Sequence, residues 1–304
     1  MSNEITTAFV KQYSSNITML SQQKGSKLRD KVRVESIVGE EGYFDQIGAT
    51  EAQDVTSRHG DSPQIDTPHS RRRVAGVGAE WGDFIDDFDK VRMLIDPASD
   101  YVRSGAYALG RKMDDRIIAA ATGTAYTGKT GTTAVSLPAS QQLSVTLGAA
   151  SGYTNAGLTI EKLIAAKSLF GQNDVDIDDP MNKLYMAVSQ KQLDDLLNST
   201  EVTSADYNTV KALVKGEVGS FMGFDFVRTE RLALDSSTDI RTCFAWAKSG
   251  LLIGINKDIV ARVTERADKR FSWYAYACMF MGATRMEEEK VVEVPCDQSP
   301  AATG

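Results

Sequence analysis

The chain has 304 residues, 42% of them hydrophobic and 25% charged, with a formal net charge of −7. This is the balance of an ordinary soluble protein with enough apolar mass to bury its own core. It speaks against a chain built to grip nucleic acid, which needs clustered Lys and Arg. No apolar run approaches the ~20 residues of a membrane span. The opening MSNEITTAFVKQYSSN lacks the basic region and apolar stretch of a signal peptide, so the expected place of synthesis and work is the cytoplasm. Cys243, Cys278 and Cys296 are odd in number, far apart and without a CxxC, which argues against a disulfide framework or a cysteine-rich zinc site. Cys278, inside YAYACMFMG, reads as a small buried filler.

Residues 1–31 are polar, with Phe9, Tyr13, Ile17 and Leu20 at helical spacing. They read as an extended arm carrying a short helix, away from a compact core. Its basic stretch KGSKLRDKVR (24–33) is expected to be solvated, with a nucleic-acid contact as the alternative. From Val32 to about Val55 the text is strand-like: VRVESIV alternates, and Tyr43, Ile47 and Ala49 share one face. RHGDSPQIDTPHSRRRV (58–74) follows, dense in turn-forming residues and holding both histidines. VAGVGAEWGDFI (74–85) reads as the returning strand, giving a long two-stranded excursion with a charged tip. A hairpin of this kind is marginal in water by itself, so something outside must hold it.

Asp100–Thr122 places Val102, Ala106, Leu109, Met113 and Ile117 on one helical stripe, with Pro97 before it and Gly123 after it. Residues 123–157 are rich in Gly, Ser and Thr and are expected to be a joining region with one short strand. Within them Gly123 to Thr130 matches the phosphate-loop pattern GxxxxGK[ST] letter for letter. That motif needs a buried strand before it and a helix after it, and neither is predicted here. The second half alternates helix and strand. LTIEKLIAAKSLFGQN is a helix capped by Thr159, KLYMAVS a buried strand, and QKQLDDLLNS a helix entered through Ser189 with Gln192 completing a capping box. Strands follow in GFDFVRT, RTCFAWAKSGLLIGI, DIVARVTERADK, RFSWYAYACMFMGATRM and EEEKVVEV, and the tail PCDQSPAATG is loose.

This order of polar arm, long charged hairpin, spine helix, α/β insert and returning strands resembles the Johnson fold of tailed-phage major capsid proteins, shared with encapsulin shells. RHGDSPQIDTPHSRR itself resembles a segment of one subgroup of short-tailed phage capsid proteins. The resemblance implies an α+β Johnson capsid fold covering nearly the whole chain. Its parts would be an N-terminal arm (1–31), an extended E-loop hairpin (32–76) and a first part of the peripheral domain (77–157) with a spine helix at about 98–122. An axial domain (158–248) and the peripheral domain's closing strands and tail (249–304) would complete it. Asp96–Gly123 resembles the spine helix with its preceding turn, and MAVSQKQLDDL with GSFMGFDFVRT resembles the axial domain. With no long charged helical segment before the arm, no fused scaffolding region is expected, and the resemblance implies a separate scaffolding protein, or none. No pattern supports the Lys–Asn cross-link found in some members.

Three classes of function remain. A divalent-metal site would use His59, Asp61, Asp66 and His69, whose residue types suit zinc, iron or manganese. Their spacing does not suit it, two prolines hold the loop open, and Arg71, Arg72 and Arg73 would oppose a cation. Nucleophile triads would have to be built on the same two histidines, without a G-x-S-x-G elbow. The acid runs Asp86-Asp87-Phe-Asp89, Asp114-Asp115, Asp178-Asp179 and Glu287-Glu288-Glu289 read mostly as solvated faces. The favoured expectation is a self-assembling shell subunit with no enzymatic activity, catalytic residue, metal or cofactor. It would form hexamers and pentamers around phage double-stranded DNA, with a portal protein at one vertex and no membrane partner. An encapsulin-like compartment is the alternative. The contact candidates between subunits are His59, Asp61, Asp66, His69, Arg71, Arg72, Arg73, Asp86, Asp87, Asp89, Glu287, Glu288 and Glu289. The arginine triplet is expected near the hairpin tip, finding carboxylates on a neighbouring copy, with Asp61 and Asp66 as competing partners within the chain.

Overall fold

The computed structural model describes residues 21–55, 58, 60, 62, 64–85, 98–149, 154–176, 179, 182–197 and 219–299. In chain order the elements are β1 (Arg33–Ser36), β2 (Glu41–Ile47), β3 (His69–Ala75), β4 (Val77–Ile85), α1 (Ala98–Thr122), β5 (Ala125–Thr127) and β6 (Thr133–Val135). Then come α2 (Ile160–Gln172), β7 (Leu184–Val188), α3 (Gln190–Leu197), β8 (Ser220–Phe221), β9 (Phe224–Arg228), β10 (Leu234–Asp235) and β11 (Ile240–Ala247). The long strands β12 (Leu251–Arg266) and β13 (Ser272–Arg285) and then β14 (Val291–Asp297) close the chain. The helix expected around Phe9 to Leu20 lies outside the described residues.

Two compact units divide these elements. The larger comprises Lys27–Val77, Met113–Asn256 and Met281–Gly304, and the smaller Met1–Ser26, Gly78–Lys112 and Lys257–Phe280. In the larger unit β7 lies between β11 and β9, parallel to β9, and all five of its residues are buried. A strand flanked on both edges and covered on both faces must be apolar throughout, which is why LYMAV shows no alternation. Trp246 anchors this core beside Phe244, at 4.9 Å between ring centroids, and Tyr185, at 5.8 Å. Its indole N–H donates to the Lys31 carbonyl at 2.9 Å. Helix α2 buries Leu163, Ala166 and Phe170, the last ring standing 6.2 Å from that of Phe224. The Thr159 cap forms, its Oγ1 accepting the Lys162 N–H at 3.4 Å, and of the capping box at Ser189 the Gln192 half forms, its Oε1 accepting the Ser189 N–H at 3.1 Å. Lys162 is fully buried, and its ammonium donates to the carbonyls of Ala156 and Pro295, each at 2.8 Å. Burial pushes its pKa down.

Three expectations are corrected. The joining region holds two strands, β5 and β6, paired antiparallel around Gly128 and Gly131, whose φ values are +92° and +63°. The phosphate-loop letters therefore spell a hairpin turn, since Lys129 and Thr130 connect two strands and open no helix. The segment 74–85 is not one strand: β3 starts at His69 and stops at Ala75, and β4 joins a different sheet beside β13. Cys278 is half-buried, whereas Cys243 and Cys296 are the fully buried thiols.

The arm is tied down earlier than its polarity suggests, for Leu28 and Val32 are fully buried. In the smaller unit Arg111 Nη1 donates to Gln22 Oε1 at 2.9 Å and the Gln23 carbonyl at 3.1 Å. Beside it, a Cβ on Gly110 would sit 2.6 Å from the carbonyl carbon of Gly25 and 2.8 Å from Ser26 N. Glycine costs a helix interior about 1 kcal/mol relative to alanine, so the close approach of the arm explains its place here. Gly110→Ala should leave the melting temperature within a few degrees of wild type while trypsin cuts at Lys24 and Lys27 faster. Unchanged cleavage would show that the arm does not depend on this approach.

The smaller unit also holds the far end of the β12–β13 hairpin. Arg270 and Phe271 both take left-handed backbone there, at φ +53° and +58°. Neither is glycine, and each such residue costs roughly 1–2 kcal/mol.

Candidate functional site

The charged stretch at 58–74 enters the sheet β2-β3-β5-β6 as β3. Its register sets Tyr43 opposite Arg73, Asp45 opposite Arg71, and Ile47 opposite His69, with Arg73 also opposite Tyr126 of β5. Strand side chains alternate between faces, so the consecutive arginines do not crowd: Arg71 and Arg73 share one face and Arg72 takes the other.

On the outer face Arg71 forks onto Asp45, at 2.5 Å from Nε and 3.2 Å from Nη2, and lies over the Tyr43 ring at 5.8 Å. The guanidinium holds the Asp45 carboxyl below its usual range. Arg73 donates to Glu41 at 3.2 Å and stacks over Tyr126 at 4.8 Å. Tyr43 donates its hydroxyl proton to Glu41 at 2.8 Å, and that bond raises the phenol's pKa. Acid and base are thus matched pair by pair, leaving Tyr43 and Ile47 43% and 71% exposed.

The inner face is dry. Phe44 packs against Val74, Leu252 and Met286. Gln46 Nε2 and Arg72 Nε donate to the Met286 carbonyl at 3.1 and 2.8 Å. Arg72 Nη2 donates to Glu288 in a short ion pair with both side chains buried. Glu288 also accepts Arg285 Nε at 3.4 Å. Arg285 is fully buried and spends its remaining donors on the carbonyls of Ala121, Gly123 and Val135, at 2.9, 2.8 and 3.2 Å. Burial lowers its pKa, and the Glu288 charge partly restores it.

The triplet, expected to find carboxylates on a neighbouring copy or else Asp61 and Asp66 in its own chain, pairs within its own chain with three other acids. The three partners are Asp45, Glu288 and Glu41, and two of them lie on the facing strand β2. The shared face of Glu41, Tyr43, Asp45 and Ile47 in β2, which sets two acids on the side that Arg71 and Arg73 take, was the signal available for this. The acid runs are likewise less solvated than expected. Asp114 is fully buried, accepting the N–H groups of Lys27 at 3.0 Å and Leu28 at 3.2 Å. Asp115 forks onto Arg231 at 2.5 and 2.6 Å. Glu287 pairs with Lys290 at 2.8 Å, while Glu289 is exposed. Asp66 and His69 are exposed; His59, Asp61, Asp86, Asp87, Asp89 and Asp178 lie outside the described residues. Chemically, this arrangement offers no activated nucleophile. It offers a braced hairpin whose outer face presents neutralised charge around apolar groups.

Solved structures of similar fold include phage capsids. The chain is similar to the capsid of cyanophage P-SCSP1u, at a TM-score of 0.73 and 18% identity, over 96% of this chain and 94% of that one. It is similar to the head of Helicobacter pylori bacteriophage KHP40, at 0.70 and 10%, over 96% of each chain. It is also similar to the capsid of cyanophage Pam1, at 0.69 and 12%, over 97% and 98%. These likenesses show the fold, the α+β Johnson fold expected from the element order. No curated protein matches the chain. A family model described as phage capsid protein matches residues 5–298, so the chain belongs to the phage capsid protein family and is a tailed-phage major capsid protein, the subunit of the virion's shell.

Proposed function

We propose that the subunit closes into an icosahedral shell of hexamers and pentamers around double-stranded DNA, and that its β2–β3 hairpin is an E-loop lying on a neighbouring copy. The observation behind this is the hairpin's outer face, where Ile47 and Tyr43 stay exposed beside the ion pairs Arg71–Asp45 and Arg73–Glu41 of their own chain. Apolar groups set among matched charges are what a second protein surface buries at least cost. Contacts between copies are assigned to Asp66, His69, Arg71, Arg73, Glu287 and Glu289. His59, Asp61, Asp86, Asp87 and Asp89 belong with them by their place in the sequence. Arg72 and Glu288 instead fix the hairpin's root. The domain division expected from the sequence, with the E-loop at 32–76 and the axial domain at 158–248, is retained in this proposal. So are a separate scaffolding protein, a portal at one vertex, assembly in the host cytoplasm, DNA held without sequence-specific contacts, and the absence of catalysis and cofactor.

The test is assembly of the expressed full chain, with and without the co-expressed scaffold, followed by negative-stain imaging and sedimentation. Capsomers or closed shells are expected, with DNA inside the mature particle. A purely monomeric species under every assembly condition would overturn the proposal, and a protein cargo in place of DNA would return the compartment alternative.

A further inference from the structure

We propose that Arg285, Met286 and Glu288 couple the end of helix α1 to the β2–β3 hairpin, so that the two open and close as one cooperative unit. The turn after β13 faces both ways. Toward the helix, the fully buried Arg285 gives Nη1 to the carbonyls of Ala121 and Gly123 and Nη2 to that of Val135 on β6. The last carbonyls of a helix have no partner within it and carry the negative end of its dipole, so a buried cation suits them. Toward the hairpin, the Met286 carbonyl accepts from Gln46 of β2 and Arg72 of β3, and Glu288 accepts from Arg72 and Arg285 together. One carboxylate is thus held by a guanidinium from each side.

No slack separates these parts. A Cβ on Gly254 of β12 would sit 2.8 Å from Ile37 Cγ2 and 3.1 Å from Val74 Cγ1, and one on Gly282 of β13 would run into the Ala75 carbonyl. The end of β3 therefore lies directly on the two long strands. If the hairpin root lifts, Glu288 loses Arg72 in a dry site. If the helix end frays, Arg285 loses its carbonyls and its hold on Glu288 loosens. Opening either side alone leaves buried charge under-paired, which is less favourable than opening both, and that is the condition for a cooperative unit. A competing route runs through β5, which follows the helix and pairs with β3 at Arg72 and Arg73. In the shell proposed above, a copy seated on the hairpin would steady the helix end through this turn. That consequence rests on the shell reading; the coupling itself does not.

The test is native-state hydrogen exchange of the dissociated full chain across a urea series. In wild type the Gly123 amide, which donates to the Ala119 carbonyl at 3.0 Å, should have a protection factor within about threefold of the ladder amides of β2 and β3, with the same urea dependence. In Glu288→Gln the hairpin amides should exchange roughly tenfold faster or more, while Gly123 stays within about threefold of wild type because Arg285 keeps its carbonyl acceptors. Arg72→Lys keeps the charge on β3 but cannot bond Met286 and Glu288 as a fork does. It should act in the same way, and it carries the test if the glutamine variant does not fold. The proposal is overturned if the two wild-type sets open separately, or only with the whole subunit. Hairpin exchange unchanged in the variants would overturn it as well. So would equal acceleration of both sets, which assigns the coupling to the β3–β5 pairing.

Discussion

Arg72→Glu should lower the melting temperature of the unassembled subunit by roughly 6–20 °C. Arg72 and Glu288 have side chains only 9% and 11% exposed, so the substitution sets two carboxylates together in a dry site with one guanidinium between them. Removing one partner of a buried pair costs about 3–5 kcal/mol, and each kcal/mol is worth about 2–4 °C in a unit of this size. The Met286 carbonyl loses its Arg72 donor as well. Arg73→Glu makes the contrast, because its pair with Glu41 is partly open to solvent and such pairs contribute about 0–1 kcal/mol. Arg72→Met combined with Glu288→Met should cost less than the two single changes added together. In the double variant neither charge of the pair is stranded; Arg285 loses its carboxylate, as it does in Glu288→Met alone, and keeps its three carbonyl acceptors. Thermal unfolding of Arg72→Glu, Arg73→Glu, the two single methionine variants and the double variant as dissociated subunits decides the matter. If Arg72→Glu melts with wild type yet fails to close shells, the pair acts between copies after all.

What was legible in the sequence depended on how far each signal reaches. The stripe through Leu109, Met113 and Ile117, the cap at Thr159, the Gln192 half of the capping box at Ser189, and the unbroken apolar run of β7 are local patterns, and each formed as expected. The arginine triplet depended on one fact that composition cannot supply, namely where β3 begins. Placed at a tip, three guanidiniums repel; placed in a strand from His69, they separate onto two faces. Their deepest partner, Glu288, is 216 residues away, and Arg285 reaches carbonyls 150 to 164 residues away. Pairings at such distance leave no periodicity to read. The order of elements was legible for the opposite reason, since arm, hairpin, spine helix and returning strands follow from local segments alone, and their succession carried the fold.

Asp114→Ala should destabilise the subunit by about 2–4 kcal/mol and free the root of the arm. In the sequence, Asp114 and Asp115 look alike, two acids on the spine helix. Helical geometry separates them by 100° about the axis, so one faces Arg231 in partial solvent and the other points inward. There the Asp114 carboxylate accepts the backbone N–H groups of Lys27 and Leu28, and Leu28 is fully buried. Hydrogen bonds to a charged group contribute about 1.5–3 kcal/mol, and a buried N–H left without an acceptor costs about 1–3 kcal/mol. Alanine removes the acceptor and offers water no easy path to the Leu28 amide. Asn keeps one acceptor oxygen but loses the charge, so Asp114→Asn should fall between alanine and wild type. Hydrogen exchange at Lys27 and Leu28 separates this from a general loss of packing. Both amides should exchange faster by at least tenfold in Asp114→Ala, while amides in β7 and β11 keep their protection relative to the lowered global stability. Asp114 thus fixes Lys27 and Leu28 through their two backbone N–H groups. Shells of the alanine variant should close at higher protein concentration than wild type even below the variant's melting temperature. Unchanged exchange at Lys27 and Leu28 would show that the arm is held by its apolar contacts at Leu28 and Val32 alone, and that the carboxylate is incidental to assembly.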